Sequence, residues 1–545
     1  MNKLSRAWTF RVLTLVGVLL ALGLGHVLRT DIPWYRGSLV GGLLVGAVWL
    51  VTSPRFFERY VKAATAESLG AIRVVVCAIA LIMTLWVFDL PTIALLPTEM
   101  QVPMGIIRGF HQLPGFDAFL ASRTSLTLFE FFSVVVLTLG LVGWKTKYVM
   151  PLGAFCFLLI GGIHRHYCHF FHTGLIPVYV LAALAITPCG DGLSVDRWLI
   201  NRSLQSVSSQ SDDWLPSEYT PLPVYGWSRY ICWIAVALSY VAAGLSKLYE
   251  GGPLWFVASN LKYHLYSTAL APMQFDWSLA LRFLDAPDAL FAAMGIPGIY
   301  GEIAFGLVLF SAGARWILPP LMAMMHIGIF FFQDILFLDL ILIQLIFVDF
   351  TAVRQLLSQW LLVLRREKDG STEMDSLASV PVERKGVGVI DTNGRRAFLD
   401  YRWAAALLAA LILIPWLYDL EFYPLSAWSM FSERDASGLV TYSTATAQYA
   451  SGATQRAYPE REIPALSGVP YRTVFGMCNS DKGKPVRVCD QFFQQVGRVH
   501  NQDLGEAEKV VAYEIKQWTW DFSNDPSPDA SELVASHVVT LEDDG

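Results

Sequence analysis

Charge is what this sequence has least of. Aspartate, glutamate, lysine and arginine fill 16% of its 545 positions, whereas an ordinary water-soluble domain carries about a quarter. With 54% hydrophobic residues and a mean hydropathy of +0.45, such a chain cannot cover itself with polar side chains in water. Cysteine is also sparse, at seven residues, which excludes a disulfide framework. Five of the seven (Cys77, Cys156, Cys168, Cys189 and Cys232) lie in or beside apolar blocks, where a free thiol acts as a small hydrophobe. No glycine-rich phosphate loop, dinucleotide fingerprint, serine nucleophile elbow or zinc-protease helix occurs, and nothing supports nucleic-acid binding. The net charge of −6 says little, because the placement of charge matters more than its sum.

What is present instead is a series of apolar blocks of about the length that spans a bilayer as a helix. The candidate spans are Val12–Leu28, Ser38–Val51, Ile72–Phe88, Leu126–Val142, Met150–Ile163, Gly174–Ile186, Tyr230–Leu248, Gly295–Ser311, Trp316–Phe331, Leu336–Phe350 and Trp403–Leu417. Several are short, so the range is nine to eleven spans. The first follows Lys3, Arg6 and Arg11 without a small-residue cleavage site, and reads as a membrane helix rather than a signal peptide. Basic residues orient the bundle, because short cytoplasmic loops hold an excess of lysine and arginine. With the N-terminus cytoplasmic, the inner segments collect Arg55, Arg59 and Lys62, then Lys145 and Lys147, then Arg197, Arg202 and Arg229, then Arg315 and the basic run from Arg365 to Arg402.

The expected fold is therefore mostly α: a polytopic transmembrane helical bundle with a small C-terminal α+β domain outside the cytoplasm. Two additional helices occupy residues 1–69, and the main bundle 70–417 contains a flexible cytoplasmic linker at 365–402. Two outer segments, Pro91–Thr124 and Leu254–Leu284, are rich in aromatics and suit interfacial helices. Over 418–545, alternation such as Gly438-Leu-Val-Thr-Tyr-Ser-Thr and Val511-Ala-Tyr-Glu-Ile-Lys-Gln-Trp-Thr-Trp predicts strands, and Asp490–His500 predicts a short helix. Cys478 and Cys489 flank a turn there. In an oxidising outer compartment they suit a disulfide; two separate thiols are the alternative.

An ionisable group within a membrane is costly, so each is a functional candidate, against the simpler reading of a side chain snorkelling to water. Lys247 lies in the last turn of its span, among the small residues Ala242, Ala243, Gly244 and Ser246 that permit close helix packing. A lysine deprived of water there can serve as a neutral base. His164, His166, Cys168, His169 and His172 cluster at an outer junction, with 166, 169 and 172 spaced along one helical face. They suit hydrogen bonding to a ligand, a metal site or a merely solvated cluster. His326 stands alone in an apolar helix, where packing is the ordinary role. Glu130, Glu302, Asp334 and Asp339 are acids able to pair with a lysine or histidine from another helix.

On these residues the chain resembles the HTTM family (horizontally transferred transmembrane domain proteins), best known from the vitamin K-dependent γ-glutamyl carboxylases. Tyr240-Val-Ala-Ala-Gly244-Leu-Ser-Lys247-Leu followed by Trp255 is similar to the family's Y-x-x-A-G-x-x-K-L…W helix. Trp428-Ser-Met430-Phe431-Ser432 is similar to its W-x-M-F-S sequence. The resemblance spans roughly residues 70–540 and implies Lys247 as catalytic base. It implies His172, with His169 as rival, as the histidine at the oxyanion, and His326 and Trp255 as ligand-binding groups. The implied cofactor is a reduced naphthoquinone (vitamin K or menaquinone hydroquinone), with O₂ and CO₂ as co-substrates. Deprotonation and oxygenation would yield an epoxide by way of a strong alkoxide base, which removes a proton from a glutamate side chain before CO₂ adds. Implied partners are the lipid bilayer, the lipid quinone and a protein or peptide substrate on the outer side.

Two departures narrow this. The outer region, 418–545, is far shorter than in the carboxylases, and Ser246 stands where they carry a second lysine. Quinone chemistry without peptide carboxylation fits both departures. A non-catalytic quinone- or lipid-binding membrane partner and a metal-dependent membrane oxidoreductase using the histidines are the alternatives. A transporter is disfavoured, because no paired broken helices occur in two halves.

Overall fold

The computed structural model describes residues 53–167, 172–207, 217–272, 275–369, 401–435, 437–466, 469–480 and 483–542, with isolated positions between 41 and 48. The expected spans Val12–Leu28 and Ser38–Val51 and most of the 365–402 linker lie outside the described residues. Within them the chain is mostly helical, and six helices are long and apolar enough to cross a membrane: α1 (Ala66–Leu95), α2 (Arg123–Val142), α3 (Thr146–Arg165), α5 (Pro223–Glu250), α7 (Asp288–Leu309) and α8 (Ala312–Gln333). The pair α9 (Leu338–Phe347) and α10 (Phe350–Trp360) is bent by 74° and gives a seventh if counted as one span. Helix α4 (Leu175–Ile186) and helix α11 (Tyr401–Leu417) are apolar but shorter, below the roughly 20 residues of a perpendicular crossing. Between α5 and α7 the outer segment forms α6 (Ala258–Leu270).

Local chemistry sets the helix ends. The Thr65, Ser122 and Ser311 hydroxyls accept backbone N–H bonds from Ser68, Ser125 and Ala314 at the starts of α1, α2 and α8, satisfying donors a helix leaves open. Pro223 opens α5, where its missing N–H costs nothing. Helix α5 is the axis of the bundle, with 78% of its best apolar window buried, whereas the corresponding window of α8 is 22% buried. Leu128 and Phe131 on α2 and Trp316, Ile317 and Met324 on α8 are 64–73% exposed. An apolar face of that size needs lipid around it.

The C-terminal region holds one antiparallel sheet of order β2-β1-β3-β4, from β1 (Leu439–Tyr449), β2 (Thr454–Arg456), β3 (Val510–Asp521) and β4 (Glu532–Thr540). Helices α12 (Val469–Cys478) and α13 (Lys484–His500) cover one side, where Phe493 meets Tyr513 at 5.1 Å between ring centroids. On the other side Trp520 of β3 meets Tyr266 of α6 at 5.4 Å. The predicted strands are there, and α13 is longer than the predicted 490–500. Residues 418–435 belong to neither layer. They run back over the helix ends, touching α3 through Tyr423, whose hydroxyl donates to the Leu158 carbonyl at 2.6 Å. They touch α4 at Pro424, α5 at Ala427 and α6 at Asp435. A boundary at 418 therefore cuts off residues that pack as part of the bundle.

Cys478 and Cys489 form a disulfide joining α12 to the start of α13. Replacing both by serine is expected to lower the unfolding free energy of the sheet layer by about 2–4 kcal/mol, the usual worth of such a link. Limited proteolysis of 437–542 against temperature would measure it. An unchanged protection curve would mean that packing alone holds the two helices.

Candidate functional site

The Lys247 site begins with a close approach of two helices. A Cβ at Gly244 would lie 2.9 Å from both the Ile299 carbonyl and the Ile303 nitrogen, so α5 and α7 touch backbone to backbone only because that position is glycine. Three residues further along α5 is Lys247, 4% exposed, and next to Ile303 on α7 is Glu302, 6% exposed. Their side chains meet, with Lys247 Nζ donating to Glu302 Oε2 at 2.8 Å. The small residues around Lys247 thus do admit a neighbouring helix. The amine is not alone, however, because one of the candidate acids from another helix is its partner.

Past the end of α5 the chain turns at Gly251 and Gly252. A Cβ at Gly251 would strike the Trp255 indole at 2.4 Å, and this lets the ring fold back over the helix end. Lys247 Nζ then lies 5.6 Å from the Trp255 ring centroid, within cation–π range. Trp255 stacks on His264 of α6, 5.8 Å between centroids, and Phe431 meets that imidazole edge-on at 5.6 Å. Asn260 ties the layer together: Nδ2 donates to the Trp255 carbonyl at 2.8 Å, and Oδ1 accepts from Asp435 N at 2.9 Å. Ser246 Oγ donates to the Ala427 carbonyl at 3.0 Å, and the Ser432 hydroxyl donates to Glu250. The two stretches that carry the family resemblance, 240–255 and 428–432, are therefore neighbours in space.

His172 packs against the other flank of the same segment. Its Nε2 is 2.8 Å from Ser426 Oγ, and its ring stacks on Trp428 at 5.3 Å. Ser426 Oγ donates to Glu421 Oε1 at 3.1 Å. The hydroxyl proton being spent there, His172 Nε2 is the donor to that oxygen, a tautomer assigned by the network. Ser246, the neighbour of Lys247, and His172 thus bind consecutive residues of one segment, Ala427 and Ser426.

The rest of the histidine cluster disperses. Helix α3 ends at Arg165, so 166, 169 and 172 cannot share a helical face. His164 turns to Phe88 and the Ala465 carbonyl, while His166 stacks on His111 at 4.3 Å. Burial pushes the His166 imidazole down to about 4, with His111 acting in the same direction. His169 lies outside the described residues. His164, His166 and His172 do not converge on a common point for a metal. His326 is two turns down the bundle, where its Nε2 is 2.9 Å from Tyr240 Oη. That phenol also accepts from Gln344 Nε2 at 2.9 Å, so its own proton goes to His326. Asp339 Oδ2 accepts from Gly174 N at 2.7 Å, and Asp334 Oδ1 accepts from Trp277 N at 3.1 Å. Glu130 is half-buried on α2, away from Lys247.

Sequence reasoning missed His264, Asn260, Glu421 and Ser426. His264 and Asn260 fell within the outer segment Leu254–Leu284, which stood out only for its aromatics. A histidine four residues after Asn260 on a short amphipathic helix was the available signal.

Two polar atoms beside Lys247, Trp255 Nε1 and His264 Nε2, are buried with no hydrogen-bond partner. So is Trp428 Nε1 on the His172 side. Such groups cost about 1–3 kcal/mol each when nothing satisfies them, so a water or a polar group of a bound molecule is favoured beside them. An amine–carboxylate pair, an imidazole and indole N–H groups among aromatic rings suit a flat, mostly apolar molecule carrying hydroxyl or carbonyl oxygens. Comparison with protein-family models, with curated proteins and with solved structures finds no match.

Two outcomes are expected here. Glu302→Gln leaves the buried Lys247 facing no counter-charge and should cost about 3–5 kcal/mol, while the double replacement Lys247→Met, Glu302→Leu should be close to neutral. Thermal unfolding in detergent reads both, and a double variant as unstable as the single would deny the pair its role. Burial also pushes the His264 imidazole down from its ordinary 6.5 to about 4, with the Lys247 charge acting in the same direction. Protonation therefore favours the unfolded chain. The contribution is intact above pH 6.5 and is lost as pH falls toward 4. Acidification from pH 7 to 5 should lower stability by about 2 kcal/mol through this residue, and His264→Phe should flatten that dependence.

Proposed function

We propose that the protein is a multi-pass membrane enzyme that takes a proton from a reduced lipid quinone at Lys247. The observation that carries this reading is the Lys247–Glu302 pair, buried beneath Trp255 beside one indole donor and one imidazole acceptor without partners. Leaving the shared proton on Glu302 Oε2 and turning Nζ out of that contact would free the single lone pair of Lys247 to accept a hydroxyl proton from the substrate. Trp255 Nε1 can donate to a ring oxygen, and His264 Nε2 can accept from a ring hydroxyl. His172, fixed by Ser426 and stacked on Trp428, would serve a developing oxyanion by swinging its Nε2–H from the Ser426 hydroxyl to that oxygen. The packed aromatic layer excludes water, which would quench a strong base.

A reduced naphthoquinone with O₂ supplies the oxidising and base-generating chemistry, and CO₂ is the co-substrate if a glutamate on an outer protein or peptide is the acceptor. The pattern of basic residues supports a cytoplasmic N-terminus with 437–542 outside the cytoplasm, on the side where α5 ends at Lys247. Nine to eleven spans are part of the same reading, with α4, α11 and the bent pair α9–α10 crossing alongside the six longer helices. The Lys247–Glu302 bond itself favours a second reading. An amine so well satisfied can also be a structural pin in a protein that binds quinone or lipid without turning it over.

The test is oxidation of reduced menaquinone by the purified protein in lipid nanodiscs under O₂, followed by absorbance. Lys247→Ala is expected to lower the rate about 10²–10⁴-fold, the worth of a positioned base. Equal rates for the two proteins remove the catalytic reading, and quinone binding retained by both would then favour the pin.

A further inference from the structure

At its other end α5 carries a second group of chemically demanding residues, outside the site described above. Arg229 precedes Lys247 by eighteen positions, about 27 Å along a helix rising 1.5 Å per residue. The guanidinium carbon of Arg229 lies 4.5 Å from the Trp233 ring centroid, and that of Arg315, at the start of α8, lies 4.6 Å from the same centroid. The indole is held in place: Nε1 donates to the Ile346 carbonyl at 3.1 Å, and the ring stacks on Phe347 at 5.9 Å. Arg315 is anchored too, with Nη1 donating to the Val308 carbonyl at 2.6 Å. A third cation, Arg59, sits over Tyr60 at 5.3 Å, and that ring meets Phe310 edge-on at 5.5 Å.

Two cations on one indole repel each other and need an anion. Among the described residues, neither Arg229 nor Arg315 has a carboxylate within ion-pair distance, and Arg229 Nε is buried without a hydrogen-bond partner. Asp349, on the neighbouring segment, accepts from Ala352 N at 3.1 Å and so caps α10. Helix α8 begins beside the pair, with Ser311 as its N-cap and Arg315 in its first turn, and the positive end of a helix adds to the attraction for an anion. Next to Arg315, Trp316 and Ile317 are 73% and 67% exposed on the lipid-facing side. A planar guanidinium matches a tetrahedral oxyanion with two parallel N–H bonds, and basic pockets between membrane helices receive phosphate headgroups for that reason.

We infer that Arg229, Trp233 and Arg315 form a binding site for a phosphate-bearing anion, from an anionic phospholipid headgroup or a soluble phosphate compound. The exposed apolar residues flanking Arg315 favour the headgroup, because they leave room for its acyl chains on the lipid face. The inference stands apart from the Lys247 chemistry and survives if that reading fails.

The full-length protein should be reconstituted in nanodiscs of phosphatidylcholine alone, phosphatidylcholine with phosphatidylglycerol, and phosphatidylcholine with added inorganic phosphate. The readouts are the unfolding midpoint and the lipid retained in native mass spectra. The expected result is a higher midpoint and retained phosphatidylglycerol in the second sample only. Arg229→Gln and Arg315→Gln should each reduce that retention by about tenfold, the scale of one lost charge-assisted pair. A rise with inorganic phosphate assigns the site to a soluble phosphate compound instead. No response in either supplemented sample overturns the inference, and so does an equal response in wild type and both variants. The wild-type comparison needs no variant, so a variant that fails to fold leaves the test intact.

Discussion

The structure around the candidate site depends on keeping one lysine and one glutamate together where water does not reach. Lys247 and Glu302 come from helices that are distant in sequence, and either side chain alone would be a severe burden inside an apolar bundle. Their 2.8 Å contact requires α5 and α7 to approach more closely than side chains usually allow. That approach requires Gly244. The same demand shapes what lies above. Gly251 lets Trp255 fold over the pair, and Asn260 and the 426–435 segment seal the layer. A single electrostatic constraint thus explains why small residues, an aromatic lid and a returning segment occur in one place.

The returning segment deserves its own physical account. After α11 the chain has left the bundle, and the simplest course would lead directly into the sheet. Instead residues 421–435 make polar contacts with successive elements: Tyr179 donates to the Pro424 carbonyl at 2.5 Å, Ser426 meets His172, Ala427 meets Ser246, and Asp435 meets Asn260. Irregular backbone near a membrane must find partners for its N–H and C=O groups within the protein. Tyr179 on α4, Ser246 on α5 and Asn260 on α6 provide three of them. The segment in turn joins the two halves of the site, because Ser246, next to Lys247, and His172 reach it at adjacent residues.

Much of this architecture was legible in the sequence because hydrophobic length is a one-dimensional signal. A run such as Ile72–Phe88 announces a membrane helix by composition alone, and the alternation in 511–520 announces a strand. The disulfide was legible from the short spacing of its two cysteines across a turn. Three things were not. The pairing of Lys247 with Glu302 depends on which helices touch, and no periodicity within one helix encodes its neighbour. The histidines 164, 166 and 172 read as a cluster because they are close in sequence; the end of α3 at Arg165 sends them to three different environments. His264 was overlooked because in a sequence it is one polar residue in an aromatic stretch, and its importance comes from Trp255 and Phe431 closing around it.

The two ends of α5 show how one helix can serve two chemistries. Near Glu250 it presents an amine neutralised by a carboxylate, so the local charge sums to zero. Near Arg229 it presents cations without a carboxylate in contact, a local excess that attracts anions. Small residues such as Gly244 bring protein backbone close to the first site, and aromatic residues such as Trp233 and Phe347 pack the second. The difference follows from what surrounds each end: charges shut away from water need each other as partners, whereas cations at a helix start beside exposed apolar residues keep no carboxylate in contact.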